Sequence, residues 1–274
     1  MKINLSKKIS LLLSVTVFVA LLTVSVLLVS CRDGGEGDKE DERAIVTSGS
    51  YTYKTDISAI AEALDTKEEK YLVLANKTIA VGADFLPEDI EPVDTKYTLY
   101  GKEISLAGNA RIAAVAMIEE MWAEGIRNVY ITSGYRSYSY QESLFNTYLA
   151  KEKAAHPSWS DQEVREAVLK YSAAPGTSEH QTGLCIDLFV SPGMKELENY
   201  GSEGQYDDIG FAETEAFVWL KQNAHKFGFI LRYPEDKVAT TGYAYESWHY
   251  RFVGIDAASQ IFEEKITLEE YLAK

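Results

Sequence analysis

In residues 183–190, GLCIDLFV, an aspartate stands in the middle of an otherwise apolar run. Strand alternation would set Leu184, Ile186 and Leu188 on one face and Cys185, Asp187 and Phe189 on the other. An uncompensated carboxylate buried there is costly. Any fold this chain adopts must therefore bring Asp187 a cation, a hydrogen-bond network or a metal ion. Arg136 and Arg232 are candidate ion-pair partners, and a shared metal is the other route. His180, just before the strand, is placed to converge on such an ion, and His249, within the aromatic segment YESWHYRF (245–252), is the second candidate histidine. Two histidines and one aspartate give three ligands with a fourth position open, which is the pattern of catalytic rather than structural zinc. His156 and His225 lie in helical or linker context and read as surface residues.

The surrounding pattern predicts an α+β domain. Residues 109–124 repeat apolar positions at helical spacing (Ile112, Val115, Ile118, Trp122), with Gly125 as a C-terminal cap. Helices are expected over about 138–154, over about 161–172 behind a Ser160/Glu163 capping box, and over about 213–226 up to Gly228. Strand character is expected for 71–81, 128–132, the 183–190 run, GFILRYP (228–234) and YESWHYRFVG, while 86–94 reads as an extended connection and 201–210 as a Gly-rich loop. The elements are interleaved irregularly, without the beat of βαβ units. A single compact domain with a small antiparallel sheet flanked by helices, and the zinc site on that sheet, is the expectation.

Composition limits the partners. Net charge is −15, and the first 30 residues carry three lysines and no acid, so the remainder is more acidic still. Such a body lacks the clustered cations that nucleic-acid backbones demand. Lys2, Lys7 and Lys8 precede an uncharged, mostly apolar stretch over 9–29, the pattern of a signal peptide or membrane anchor over 1–30. Leu28-Val29-Ser30-Cys31 resembles a bacterial lipobox, which implies lipidation at Cys31 and a domain tethered at the extracytoplasmic face of the cell membrane. A transmembrane anchor is the alternative. Residues 31–50, rich in charge and glycine, read as a flexible acidic tether before a domain over 51–274 with its motif core at about 70–255. The only other cysteine is Cys185, so lipidation of Cys31 would leave no disulfide within the chain.

Several hydrolase signatures are missing: there is no HExxH, no GxSxG elbow, and neither SxxK nor KTG. By contrast, SEHQTGLCID (178–187) together with ESWHYRFVG (246–254) resembles the paired signature of the VanY-type zinc D-alanyl-D-alanine carboxypeptidases, which trim peptidoglycan stem peptides. TSGYRSYSYQ (132–141) and FGFILRYP (227–234) resemble the same family in the same order. The resemblance implies the D,D-peptidase/Hedgehog-like fold and one zinc ion held by His180, Asp187 and His249. It further implies Glu246 as catalytic base, Arg136 stabilising the developing oxyanion, and Gln141 and Ser178 lining the substrate pocket. Cys185 departs from it, standing where that family usually has alanine.

A difficulty goes with these roles: in a regular strand Glu246 and His249 would face opposite ways, so the chain must bend or the strand begin near Ser247. Two other functions stay open from sequence. One is an L,D-carboxypeptidase or endopeptidase on peptidoglycan, and the other a cell-wall-binding lipoprotein without turnover.

Overall fold

In the computed structural model, which describes residues 47–48, 51–64, 69–191 and 210–274, four short segments rich in β-branched and aromatic residues form the central sheet. The strands are β1 (Thr47–Ser48), β2 (Tyr51–Thr52), β3 (Ile90–Pro92), β4 (Ser105–Ala107), β5 (Val129–Ser133), β6 (Cys185–Val190), β7 (Phe229–Leu231) and β8 (His249–Phe252). The helices are α1 (Ala61–Leu64), α2 (Gly108–Ala123), α3 (Tyr138–Ala155), α4 (Asp161–Val168), α5 (Glu215–Asn223), α6 (Val238–Thr241), α7 (Ile255–Glu264) and α8 (Leu268–Leu272). The sheet order is β5-β6-β8-β7, antiparallel throughout, and β1-β2 and β3-β4 are separate two-stranded pairs. All described residues fall in one compact unit, Arg43–Lys274. The expected leader over 1–30, Cys31, the tether up to residue 46 and the loop at 201–209 lie outside the described residues.

One face of β6 builds the core. Leu184, Ile186 and Leu188 pack in the same buried cluster as Ala113, Met117, Ile118 and Met121 of α2 and Tyr250 of β8. Phe189 and Val190 also join it, so alternation ends after Asp187. Neighbouring Phe229 and Ile230 of β7 fall in two different clusters, Ile230 joining Ala258 and Ile261 of α7 and Leu268 of α8. The sheet is thus covered on both sides at that edge.

Local sequence explains most boundaries. Ser160 accepts from Glu163 N while the Glu163 carboxylate accepts from Ser160 N, the anticipated capping box, although α4 ends at Val168 rather than near 172. The helix expected over 213–226 is divided: Thr214 caps α5, and a 3-10 turn, Ala224–Phe227, follows. The strand expected over 71–81 does not form. Glu69–Leu72 is a 3-10 turn, and Asn76 Oδ1 folds the chain back by accepting from Thr78 N and Ile79 N. The carbonyls of Tyr71 and Val73 accept from the Arg251 guanidinium, not from a neighbouring strand.

Two glycines set the site's entry geometry. Gly183 adopts φ +69°, and a Cβ there would lie 2.5 Å from Ile90 Cδ1, so only glycine makes the turn from His180 into β6. At Gly134, after the register shift between Ile131 and Ser133, a Cβ would sit 2.7 Å from Ser105 O. That close approach fixes the loop carrying Arg136.

Candidate metal centre and active site

The β6–β8 register pairs Asp187 directly with His249, so the sheet itself brings these two side chains together. His249 Nδ1 lies 2.9 Å from Asp187 Oδ1, and His180 Nε2 lies 3.2 Å from Asp187 Oδ2. Both rings are buried, 5.1 Å apart between centroids. Their remaining nitrogens are already occupied: His180 Nδ1 is 2.6 Å from Gly134 O, and His249 Nε2 is 3.3 Å from Glu179 Oε2. With an ion at Asp187 each ring would spend its N–H on that outer acceptor and turn a lone pair inward, whereas without one both rings are held protonated and donate to the carboxylate. Lone pair against lone pair is stable only with a cation or proton between them. Two imidazoles and a carboxylate around one point suit zinc, so the residues fit the ion the sequence implied.

Without an ion the electrostatics point the same way. Burial and Arg136 push His180 down, but Asp187 and Cys185 outweigh them and raise it to about 9. Burial pushes Asp187 up, and the two histidines hold it well below the usual carboxylate range nonetheless.

Glu246 resolves the strand-face difficulty. β8 begins only at His249, after a turn at Ser247 and Trp248. Glu246 Oε2 consequently lies 3.7 Å from His249 Nδ1, on the same side. Burial, with Asp187 adding to it, raises the Glu246 carboxyl to about 7 against the pull of His249. A carboxylate poised near neutrality is suited to general-base work.

Arg136 is tied to the site through its backbone, whose N–H donates to His180 O at 3.0 Å. Its Nη2 is 3.8 Å from Asp187 Oδ2, its Nη1 donates to Gln141 Oε1 at 3.0 Å, and its Nε is buried with no partner among the described residues. Gln141, itself buried, donates to Ala173 O and so acts as a brace for the guanidinium as much as a pocket wall. Ser178 is buried at the cavity wall. Arg232 does not pair with Asp187: Glu179 and Glu269 take its guanidinium. His156 and His225 stay away from the centre, but both are half-buried and stacked, on Trp159 and Phe262.

Sequence reasoning missed Glu179. Its carboxylate receives Arg232 Nε at 2.8 Å and Arg251 Nη1 at 2.7 Å while facing His249 Nε2, all of them buried. Burial alone would raise its pKa, yet the two arginines and His249 hold it far below the usual range. The available signal was Arg232 and Arg251, charges set in apolar strands as Asp187 is.

His180, Asp187, His249, Glu246, Arg136, Gln141, Ser178 and Glu179 line one cavity of about 680 Å³ together with Tyr233 and Trp248. Hydrolysis by a metal-activated water is the chemistry that such a cavity supports, so the class is that of metal-dependent hydrolases. Sequence comparison narrows it: the VanY family profile, described as D-alanyl-D-alanine carboxypeptidase, matches residues 103–255, and the chain belongs to that family. The putative carboxypeptidase YodJ of Bacillus subtilis (strain 168) is 33% identical over 226 residues, covering 81% of this chain and 74% of the relative. The solved structure of the LD-carboxypeptidase LdcB aligns with a TM-score of 0.60 and 31% identity, covering 74% of this chain and 86% of that one. A mutant of the vancomycin resistance D,D-pentapeptidase VanY from a VanB-type cassette, in complex with Zn(II), aligns with a TM-score of 0.56 and 31% identity, covering 74% and 99%. The α+β architecture and the D,D-peptidase fold expected from sequence are both found.

Proposed function

We propose that this chain is a zinc-dependent carboxypeptidase that removes the terminal D-alanine from peptidoglycan stem peptides or their precursors. The observation that carries the reading is the convergence of the His180, Asp187 and His249 donors beside a buried Glu246 raised to about 7. His180 Nε2, an Asp187 oxygen and His249 Nδ1 would hold the ion. Bound there, zinc supplies Lewis-acid polarisation of the scissile carbonyl and lowers the pKa of the attacking water towards neutrality. Glu246 takes that water's proton and passes it to the departing amine nitrogen. Arg136, with donors left unspent and Gln141 fixing its plane, meets the negative charge that develops on the carbonyl oxygen or that the peptide's terminal carboxylate carries. Gly134 O and Glu179 keep the two rings turned inward throughout. Ser178 contributes to the cavity wall.

Extracytoplasmic placement belongs to the same proposal. The basic start, the apolar stretch over 9–29 and Cys31 support a lipid-anchored or transmembrane-anchored protein facing the wall. No helix among the described residues is long and apolar enough to cross a membrane.

The test is elemental analysis of the full chain in detergent, alongside D-alanine release from a stem pentapeptide with and without chelator. One equivalent of zinc and chelator-sensitive release are expected; metal-free protein that still hydrolyses the peptide would overturn the mechanism. An L,D-carboxypeptidase is the second reading, favoured by the likeness to LdcB. Product masses from a tetrapeptide separate the two, and bound muropeptide with no released amino acid would indicate a wall-binding role.

A further inference from the structure

The cavity continues well past its metal-binding end. Along α3, Tyr140, Leu144, Tyr148 and Lys151 recur at i, i+4, i+8 and i+11, a single helix face, and all four line the cavity. The buried residues of α3 are Gln141 and Phe145, and the stripe belongs to neither hydrophobic cluster, so it serves the cavity and not the core. Gln141 braces Arg136, and Lys151 comes ten residues later, about 15 Å further at the helical rise. An extended peptide covers that span with about four residues. Tyr100 and Lys102, from the turn before β4, line the same cavity. Tyr100 holds φ +55° with its ring 84% exposed, a strained backbone that keeps a large aromatic in solvent. Charge divides along this length. The acids lining the cavity are Glu179, Asp187 and Glu246, all at the metal end. Lys151 pairs with no carboxylate among the described residues and lies over the Tyr148 ring, 6.0 Å from its centroid, while Lys102 Nζ donates to Thr132 O at 2.9 Å. Neighbouring Glu152 is already engaged, accepting from Tyr171 Oη at 2.9 Å. Two cations are thus left without counter-charge in a chain of net charge −15.

We propose that Tyr100, Lys102, Tyr148 and Lys151 form a specificity subsite for the acyl side of the substrate, one that takes a free carboxylate carried about three to four residues before the departing amino acid. Lys151 reads the charge, Lys102 adds to the field, and the tyrosine rings cover the peptide backbone between. In a stem peptide the group that fits is a γ-linked glutamate, because linkage through the side chain leaves its α-carboxylate free and lengthens its reach. Amidation of that carboxylate removes the charge, so the subsite selects unamidated stems. An ammonium–carboxylate contact at a cavity wall is charge-assisted and stronger than its fully exposed counterpart. The inference rests on the carboxypeptidase reading and deepens it, and the experiment separates the two.

The measurement is kcat/KM for D-alanine release by the full chain in detergent, with two stem pentapeptides that differ only at the second residue, γ-glutamate or its α-amide, with lysine third. The free acid should be preferred about tenfold, and the preference should shrink as salt is raised. Lys151→Arg should keep it and Lys151→Glu should reverse it. The position is exposed and all three residue types favour helix, so the fold is not at stake. Release from both peptides at equal kcat/KM by the parent chain, or a preference unchanged in Lys151→Glu, overturns this inference alone. Release from neither peptide overturns the D,D-carboxypeptidase reading and this inference with it.

Discussion

Glu246 is where residue chemistry is most exposed to test. Glu246→Gln keeps the shape and removes the base, so kcat should fall by about 10³-fold with zinc content unchanged, within the range of general-base contributions. His249→Ala should lose both metal and turnover. The base must be ionised to act, so activity falls as pH drops through its pKa. Burial places that value at about 7 without metal, and a bound cation can only lower it. The acid limb of kcat/KM is therefore expected at or below pH 7, measured as a pH profile, and should vanish from the residual rate of Glu246→Gln. Asp187 was legible because a carboxylate in an apolar strand demands a partner, and His180 and His249 because so few histidines compete. Glu179 was not: it sits in a polar turn without periodicity, and its arginines come from 53 and 72 residues along the chain.

Among the elements, the sheet and the long helices followed from periodicity, whereas 71–81 misled because alternation says nothing about which backbone pairs with it. Arg251 supplied the hydrogen bonds that a strand neighbour would have made, a contact invisible in local sequence. A comparable long-range device pins the first described strands. Glu120, fully buried in α2, accepts from Lys54 N at 2.7 Å, Thr55 N at 2.9 Å and Tyr51 Oη at 3.1 Å. Glu120→Ala strands these donors, and unfolding by denaturant should show a loss of about 2 kcal/mol. Catalysis should be spared, since none of the groups lines the cavity.

Across the whole molecule, one buried ionic chain runs from His249 through Glu179 and Arg232 to Glu269 of α8, outside the family-matched residues 103–255. Glu179→Gln breaks its centre, and the expected cost is about 3–5 kcal/mol of stability, as for other severed buried pairs. Zinc affinity should weaken by about 10- to 100-fold, since a ligand's outer partner is lost. Because Glu179 is held below its unfolded value, its contribution is complete above about pH 4.3 and drains away as pH falls further. The acid-unfolding curve of Glu179→Gln should be flatter in that window. The in-register meeting of Asp187 and His249 has a further result. A metal joining them would be a clasp across two strands, present only when folded, and at a thousandfold excess over its Kd it would add about 4 kcal/mol. Chelation should lower the Tm of the whole domain, so scarcity of zinc would leave a slackened protein exposed to proteolysis, and abundance of the enzyme would follow the supply of its metal.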